Sequence, residues 1–421
     1  MNDSVEVIAA GESMGLAFAM QLIQAEESRT KNILHMTANE NVLSETAASL
    51  LSSPLKNRYL LSSTLKDVSS VKPALFSNQL GDVGRLESVV EAQLNVMLAG
   101  VKTDFRPLSG VHAMICAIAS LTKPGDIVLS LNPDHGGHFA TQNLVAMMGR
   151  ESRLLDFDPV RMTPCLERLE RIAGECSIKL LFLDDGLPLY PMPFRRIRQI
   201  VGPQVIISYD ASHSLGLIVG MARPNPIVEG CDIIQANTHK TFPGPHKAII
   251  HFADMRLAKA VMNKIDTGLV STQHTHHLLA LYITVMEMCE FGESYASAIV
   301  ENTNCFSEAL ERNGFTLMQN PEARNQSHQV LFYAPDGMCN HEASARLLRF
   351  NISTNAKTIF GRDIVRVGLQ EVTRLGMGTR EVCDLADIYR DILMINEPCS
   401  SLAARLALLR DRFRKVHYSF D

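Results

Sequence analysis

Five short apolar runs constrain this chain more than any other feature: 127-IVLSL-131, 178-IKLLFLDD-185, 205-VIISYD-210, 231-CDIIQA-236 and 248-AIIHFA-253. Each is almost continuously hydrophobic, and segments with helical spacing separate them. A strand that is apolar on both sides must be covered on both faces, so these runs predict a parallel or mixed sheet sandwiched between helices. The fold class is therefore α/β. Between Ser109 and Leu121 the apolar positions Val111, Met114, Ile115 and Ile118 follow one helical face, and KPGD ends the helix. Ser109 and Gly110 stand at its N-terminus.

Beyond the sheet, 278-LLALYITVMEMCEF-291 reads as a long, mostly buried helix. The runs 329-QVLFYA-334 and 363-DIVRVGL-369 then read as strands and 380-REVCDLADIYRDIL-393 as an amphipathic helix. A chain of 421 residues exceeds one ordinary core. The expected division is an N-terminal segment over 1–50, a large α/β domain over 51–290 and a smaller α+β domain over 291–421.

Charge and composition exclude several function classes. A net charge of -5 and no basic run argue against a nucleic-acid partner. No stretch reaches the roughly 20 apolar residues that span a bilayer, and the start, MNDSVEVIAAGESMG, carries acidic residues where a signal peptide carries positive ones. The nine cysteines form no C-x-x-C pair. A reduced, cytoplasmic setting is the expectation.

Three features bear on chemistry. The Ser109-Gly110 helix start either caps its helix or holds a phosphate on free N–H groups. Asp210, at the end of a hydrophobic strand, either caps a turn or faces the ligand crevice at the carboxyl edge of the sheet. Lys240, in 237-NTHKTFPGP-245, is either an exposed loop lysine or a desolvated amine able to form a Schiff base. Together they are the parts that bind pyridoxal 5'-phosphate. The histidines of 134-DHGGHF-139 and 273-QHTHH-277 lack acidic or cysteine partners at metal spacing, so no metal is expected.

The blocks 38-ANEN-41, 56-KNRY-59, 134-DHGGH-138, 209-YDASHSLGLIVG-220, 237-NTHKTFPGP-245 and 365-VRVGLQEVTRLGM-377, in this order, resemble the serine hydroxymethyltransferase branch of the fold type I pyridoxal phosphate enzymes. The resemblance spans nearly the whole chain. It implies an aspartate aminotransferase-like fold and a homodimer with shared active sites. It makes Lys240 the Schiff-base lysine, Asp210 the partner of the pyridinium nitrogen, His213 a contact on the phenolic oxygen side and His135 the residue stacked on the ring. It puts Ser109 and Gly110 on the phosphate, with Gln273 or His274 from a second subunit, and His239 beside the cofactor. Arg366 would grip the substrate carboxylate, with Asn39 and Tyr59 near it. Glu40 and His135 are the candidate bases.

Two departures affect the substrate. Where folate-dependent members read NKYAEG, this chain reads 57-NRYLLSS-63, with Leu61 in place of the glutamate. Only 357-KTIFGRDIV-365 stands where those enzymes have a longer loop holding the pterin. These departures, and the terminal 418-YSFD-421, look more like the L-threonine transaldolases of natural-product pathways. Such an enzyme cleaves L-threonine to acetaldehyde and a stabilised glycine carbanion, then adds the carbanion to a second aldehyde to give a β-hydroxy-α-amino acid. Folate-dependent serine hydroxymethyltransferase and threonine aldolase are the alternatives.

Overall fold

A computed structural model describes residues 15–60, 80–395 and 399–421. Its first eight strands in chain order are β1 (Leu34–His35), β2 (Lys102–Asp104), β3 (Ile127–Leu131), β4 (Glu151–Leu155), β5 (Phe157–Asp158), β6 (Thr163–Pro164), β7 (Ile178–Leu183) and β8 (Ile206–Asp210). They are followed by β9 (Ile233–His239), β10 (Pro243–Phe252), β11 (Gln329–Tyr333), β12 (Ile352–Ser353), β13 (Asn355–Ile359) and β14 (Arg362–Gly368). Seven form the central sheet, in the order β2-β10-β9-β8-β7-β3-β4. The stretch from β4 to β9 is parallel, and β10 and β2 close the edge antiparallel.

Strand alternation sends successive side chains to opposite faces. Leu129, Leu131, Leu181, Leu183, Ile207 and Ile234 pack on one side with Leu278, Leu281, Tyr282 and Val285. Val128, Leu180, Phe182, Ile233 and Ile250 pack on the other with Ala113, Met114, Ala117 and Ile118. The helix Gly110–Leu121 thus covers one face, and the 38-residue helix Thr275–Arg312 contributes to covering the other. Because β3 lies between β4 and β7, the crossovers diverge there and open a crevice at the strands' carboxyl ends.

A second sheet, β11-β14-β13, is antiparallel throughout. Val330, Phe332, Val365 and Val367 on one face build a separate core with Val382, Leu385, Tyr389 and the N-terminal residues Leu34 and Met36. Leu331, Ile359 and Ile364 on the other face pack against Leu187, Leu189 and Tyr190. The sequence placed a domain boundary at 290, but Thr275–Arg312 runs unbroken through it. No glycine-proline break interrupts that segment, so one helix serves both cores. Strands β2 and β4 escaped the sequence pattern because both are short edge strands, and exposed or half-exposed residues alternate along β4.

The long helix is tied to the second core by a fully buried ion pair. Arg374 Nη2 lies 2.8 Å from Glu287 Oε2, and neither side chain is exposed. Arg374→Met leaves the Glu287 carboxylate buried without its guanidinium, at an expected cost of about 3–5 kcal/mol. The urea midpoint should fall accordingly, and adding Glu287→Leu should restore a large part of the loss. Equal midpoints for wild type and Arg374→Met would show that the pair contributes nothing.

Candidate active site

At the carboxyl ends of β3, β7, β8 and β9 a cavity of about 210 Å³ is lined by Ser109, Gly110, His138, Asp210, His213 and Lys240. Asp184, Asp185, Gly186, Ser212, Asn237 and His239 complete most of its wall. Every one of these residues lies at or just beyond the end of an element, which is how a sheet brings residues distant in sequence to one crevice.

Lys240 is the first residue past β9, and only Thr241 and Phe242 separate it from β10. Thr241 anchors this connection, donating to His213 O at 2.9 Å and accepting from Gly216 N at 3.1 Å. A Cβ on Gly216 would stand 2.2 Å from Thr241 O, so glycine is required for this approach. Asn41 adds a bond from its Nδ2 to Lys240 O. The side chain then places Nζ 3.1 Å from His213 Nε2. Burial, opposed by the charge of Asp210, draws the Lys240 pKa down to about 8.

His213 is itself held. Gln329 Nε2 lies 3.0 Å from His213 Nδ1 and donates to Gly186 O at 3.3 Å, so the ring is gripped between Gln329 on one nitrogen and Lys240 on the other. Burial first, and then Lys240 and Arg366, hold the His213 pKa well below the ordinary value, and the ring is neutral.

The opposite wall is built for a polar ligand. Ser109 caps the helix Gly110–Leu121 by accepting from His112 N, leaving the first N–H groups of the helix at the cavity. A Cβ on Gly110 would meet Asn237 Nδ2 at 3.2 Å. Among the described residues Asn237 Oδ1 and His239 Nδ1 are buried without a protein partner, which a polar ligand would remedy. Asp210 lines the cavity and accepts from Ser212 N at 2.9 Å through Oδ1. A helix start for a phosphate, a carboxylate for a pyridinium nitrogen and a desolvated amine for an aldehyde together fit pyridoxal phosphate.

Arg366 reaches the site from β14. Its guanidinium donates to Asn39 Oδ1 at 2.8 Å, to Asn355 Oδ1 at 3.0 and 3.2 Å, and to Gly186 O at 3.3 Å. All of these acceptors are neutral. The residue is only 4% exposed, and burial lowers its pKa to about 10. Among the described residues no carboxylate pairs with it, so a buried cation beside Lys240 retains its demand for an anion.

The structure separates the two histidines of DHGGH. His135, read from the sequence as the ring-stacking residue and a candidate base, turns instead to Asp156, 3.2 Å from Nδ1, and packs against Phe360. His138 lines the cavity, fixed by its own N–H on Asp184 Oδ2 at 3.0 Å. The reason is the turn between them: Gly136 takes a φ of +110°, and a Cβ on Gly137 would stand 2.4 Å from Leu131 O. Spacing alone cannot say which histidine such a reversal points inward. Burial lowers the pKa of His138 and pushes Asp184 up to about 7 and Asp185 up to about 6.

Glu40, the other candidate base, does not line the cavity either. Its carboxylate accepts from Thr37 Oγ1 at 2.8 Å and lies 3.7 Å from His35 Nδ1. Tyr59, Gln273 and His274 are also absent from this wall. They sit together elsewhere, with Gln273 Nε2 donating to Leu60 O and Thr275 Oγ1 to Arg58 O. Leu61 lies outside the described residues. Sequence reasoning overlooked Asn355 and Gln329, although Gln329 opens the quoted run 329-QVLFYA-334; their role follows only from facing Arg366 and His213 across a sheet and a domain boundary.

Comparisons with known proteins agree with this geometry. The family model described as serine hydroxymethyltransferase matches residues 17–389. A fluorothreonine transaldolase from Streptantibioticus cattleyicolor is 35% identical over 413 residues, covering 97% of this chain, while the chain spans 64% of that protein's length. A serine hydroxymethyltransferase from Korarchaeum cryptofilum is 30% identical over 414 residues, covering 92% of this chain and 93% of its own. The crystal structure of an L-threonine transaldolase from Pseudomonas fluorescens, in its internal aldimine state, superposes with a TM-score of 0.89 at 25% identity, covering 96% of this chain and 94% of that one. The chain therefore belongs to the serine hydroxymethyltransferase family of pyridoxal phosphate-dependent enzymes.

Proposed function

We propose that this enzyme is an L-threonine transaldolase, releasing acetaldehyde from L-threonine and joining the remaining glycine unit to a second aldehyde. The observation that carries this reading over folate chemistry is the hairpin between β13 and β14. Its two central residues, Phe360 and Gly361, both have positive φ, at 51° and 70°. That is the tightest class of strand connection, standing where folate enzymes have a longer pterin-holding loop. Phe360 packs its ring on His135 and donates its N–H to Asp134 O, which draws the hairpin against the cavity-side turn.

Pyridoxal phosphate, when bound, supplies the electron sink for breaking and making the carbon–carbon bond. The chain's own residues do the rest. Arg366 binds the amino-acid carboxylate through its fork of donors and so fixes the α-carbon. Asp210 places a negative charge against the cavity, and His213 shares a proton with Lys240 across 3.1 Å. Since Glu40 and His135 lie off the cavity, His138, which lines it and whose pKa burial lowers, takes the role of receiving the β-hydroxyl proton.

A homodimer is part of this reading. Tyr59, Gln273 and His274 cluster away from their own cavity, which supports their serving the cavity of a second copy. Cysteines without any C-x-x-C pair support a cytoplasmic setting, and among the described residues no helix is long and apolar enough to cross a membrane. The likeness to a fluorothreonine transaldolase supports a place in natural-product assembly.

The decisive assay supplies L-threonine with and without an aromatic aldehyde, and separately L-serine with tetrahydrofolate. Acetaldehyde release that accelerates with the added aldehyde is expected; folate-dependent serine cleavage in its place would refute the proposal. For the apoprotein, trinitrobenzenesulfonate labelling of Lys240, followed by peptide mass spectrometry, should rise with pH with a midpoint near 8 and level off above it. The sign follows from the lowered pKa: the reactive neutral amine forms as pH rises through that value. A rise continuing past pH 10 would contradict it. Arg366→Met should raise KM for L-threonine about 100-fold or more, and Arg366→Lys should recover little, because an ammonium has no planar fork; an unaltered KM would remove Arg366 from the substrate site.

A further inference from the structure

Resting on the transaldolase reading, we infer that Lys357 selects the acceptor, and that the acceptor aldehyde carries an anionic group such as a carboxylate or phosphate. The argument begins with strand register. Asn355 stands opposite Arg366 and Lys357 opposite Ile364, so by alternation all four share one face of the β13-β14 pair. That face looks toward the cavity-bearing domain: Asn355 holds Arg366, and Ile364 packs among Leu187, Leu189 and Tyr190. The alternate residues Val365 and Val367 go into the other core.

The backbone of Lys357 is pinned on both sides. Asn340 Nδ2 donates to its carbonyl at 2.7 Å, and the hairpin three residues on is fastened to Asp134 O at 2.9 Å, beside the turn that carries His138. The side chain is left uncommitted. Among the described residues its ammonium has no hydrogen bond and no ion-pair partner, although the residue is open to solvent. Its charge is nevertheless felt inside the site, where it disfavours the protonated forms of His138, His213 and Lys240.

The register therefore sets Lys357 one residue pair along from Arg366 on the same face, and Arg366 reaches the cavity wall at Gly186 O; among the described residues neither cation has an acidic partner, in a chain whose net charge is -5. Arg366 suffices for the amino-acid carboxylate. A second cation suffers partial desolvation first and repulsion from Arg366 second, both of which pull the Lys357 pKa down. An anionic group on the other substrate relieves both. During the addition the glycine α-carbon bonds to the aldehyde carbon and the carbonyl oxygen takes a proton; the distal anion rests on Lys357 and does not react.

The test measures kcat and KM of the holoenzyme for 4-formylbenzoate, for its neutral methyl ester and for glycolaldehyde phosphate, each with saturating L-threonine. Wild type should prefer the anionic aldehydes by about tenfold, expressed in KM and eroded by salt. Lys357→Met should abolish the preference, and Lys357→Arg should keep it. Equal KM values in wild type, or a Lys357→Met variant whose KM changes for L-threonine and not for the anionic aldehyde, would overturn the inference. Acetaldehyde release from L-threonine by wild type separates the two failures. Release without an anion preference sinks only the role of Lys357, whereas no release sinks the transaldolase reading beneath it.

Discussion

Lys240 is held out of water by a backbone that has little freedom to move: a two-residue connection pinned to His213 O by Thr241 and resting on Gly216. An amine in that position costs free energy in its charged form, and the protein settles part of that cost by lowering its pKa to about 8. The neighbours are arranged to suit the neutral form. His213 is held against Nζ because Gln329 occupies its other nitrogen, while Asp210 limits how far the shift can run. The remainder of the cavity is organised around this amine.

Its assembly requires both cores. Gln329 begins β11 and Arg366 sits on β14, yet both donate to the same carbonyl, Gly186 O, just past β7 of the large sheet. The apolar cluster of Leu331, Ile359 and Ile364 with Leu187, Leu189 and Tyr190 holds the two sheets in that relation. Among the described residues Arg366 is satisfied only by amide and peptide oxygens, so its charge remains available. The site thus combines an amine kept reactive by burial with guanidinium and ammonium charges left without acids. This combination suits substrates that bring their own anions.

The strands were legible because full burial writes near-continuous apolar runs, and all five central runs appear as β3, β7, β8, β9 and β10. The edge strands β2 and β4 were not, since an edge needs no such pattern. Among the residues read from motifs and from the resemblance, Lys240, Asp210, His213, His239, Ser109 and Gly110 line one cavity. The histidine of DHGGH was assigned to the wrong position, because two glycines permit a reversal whose direction depends on Leu131 O and Asp184, residues the motif does not contain. Glu40 failed as a cavity residue for a similar reason: its carboxylate has nearer partners in Thr37 and His35.

The sequence by itself determined the α/β architecture and the chemistry-bearing residue types, because strand burial and motif spacing are local and leave a pattern in the chain. Only the tertiary structure decided which imidazole faces the cavity, which acceptors hold Arg366, and that Lys357 shares its strand face. Those facts depend on register and on contacts between residues hundreds of positions apart, such as Asn39 with Arg366, and no local pattern encodes them.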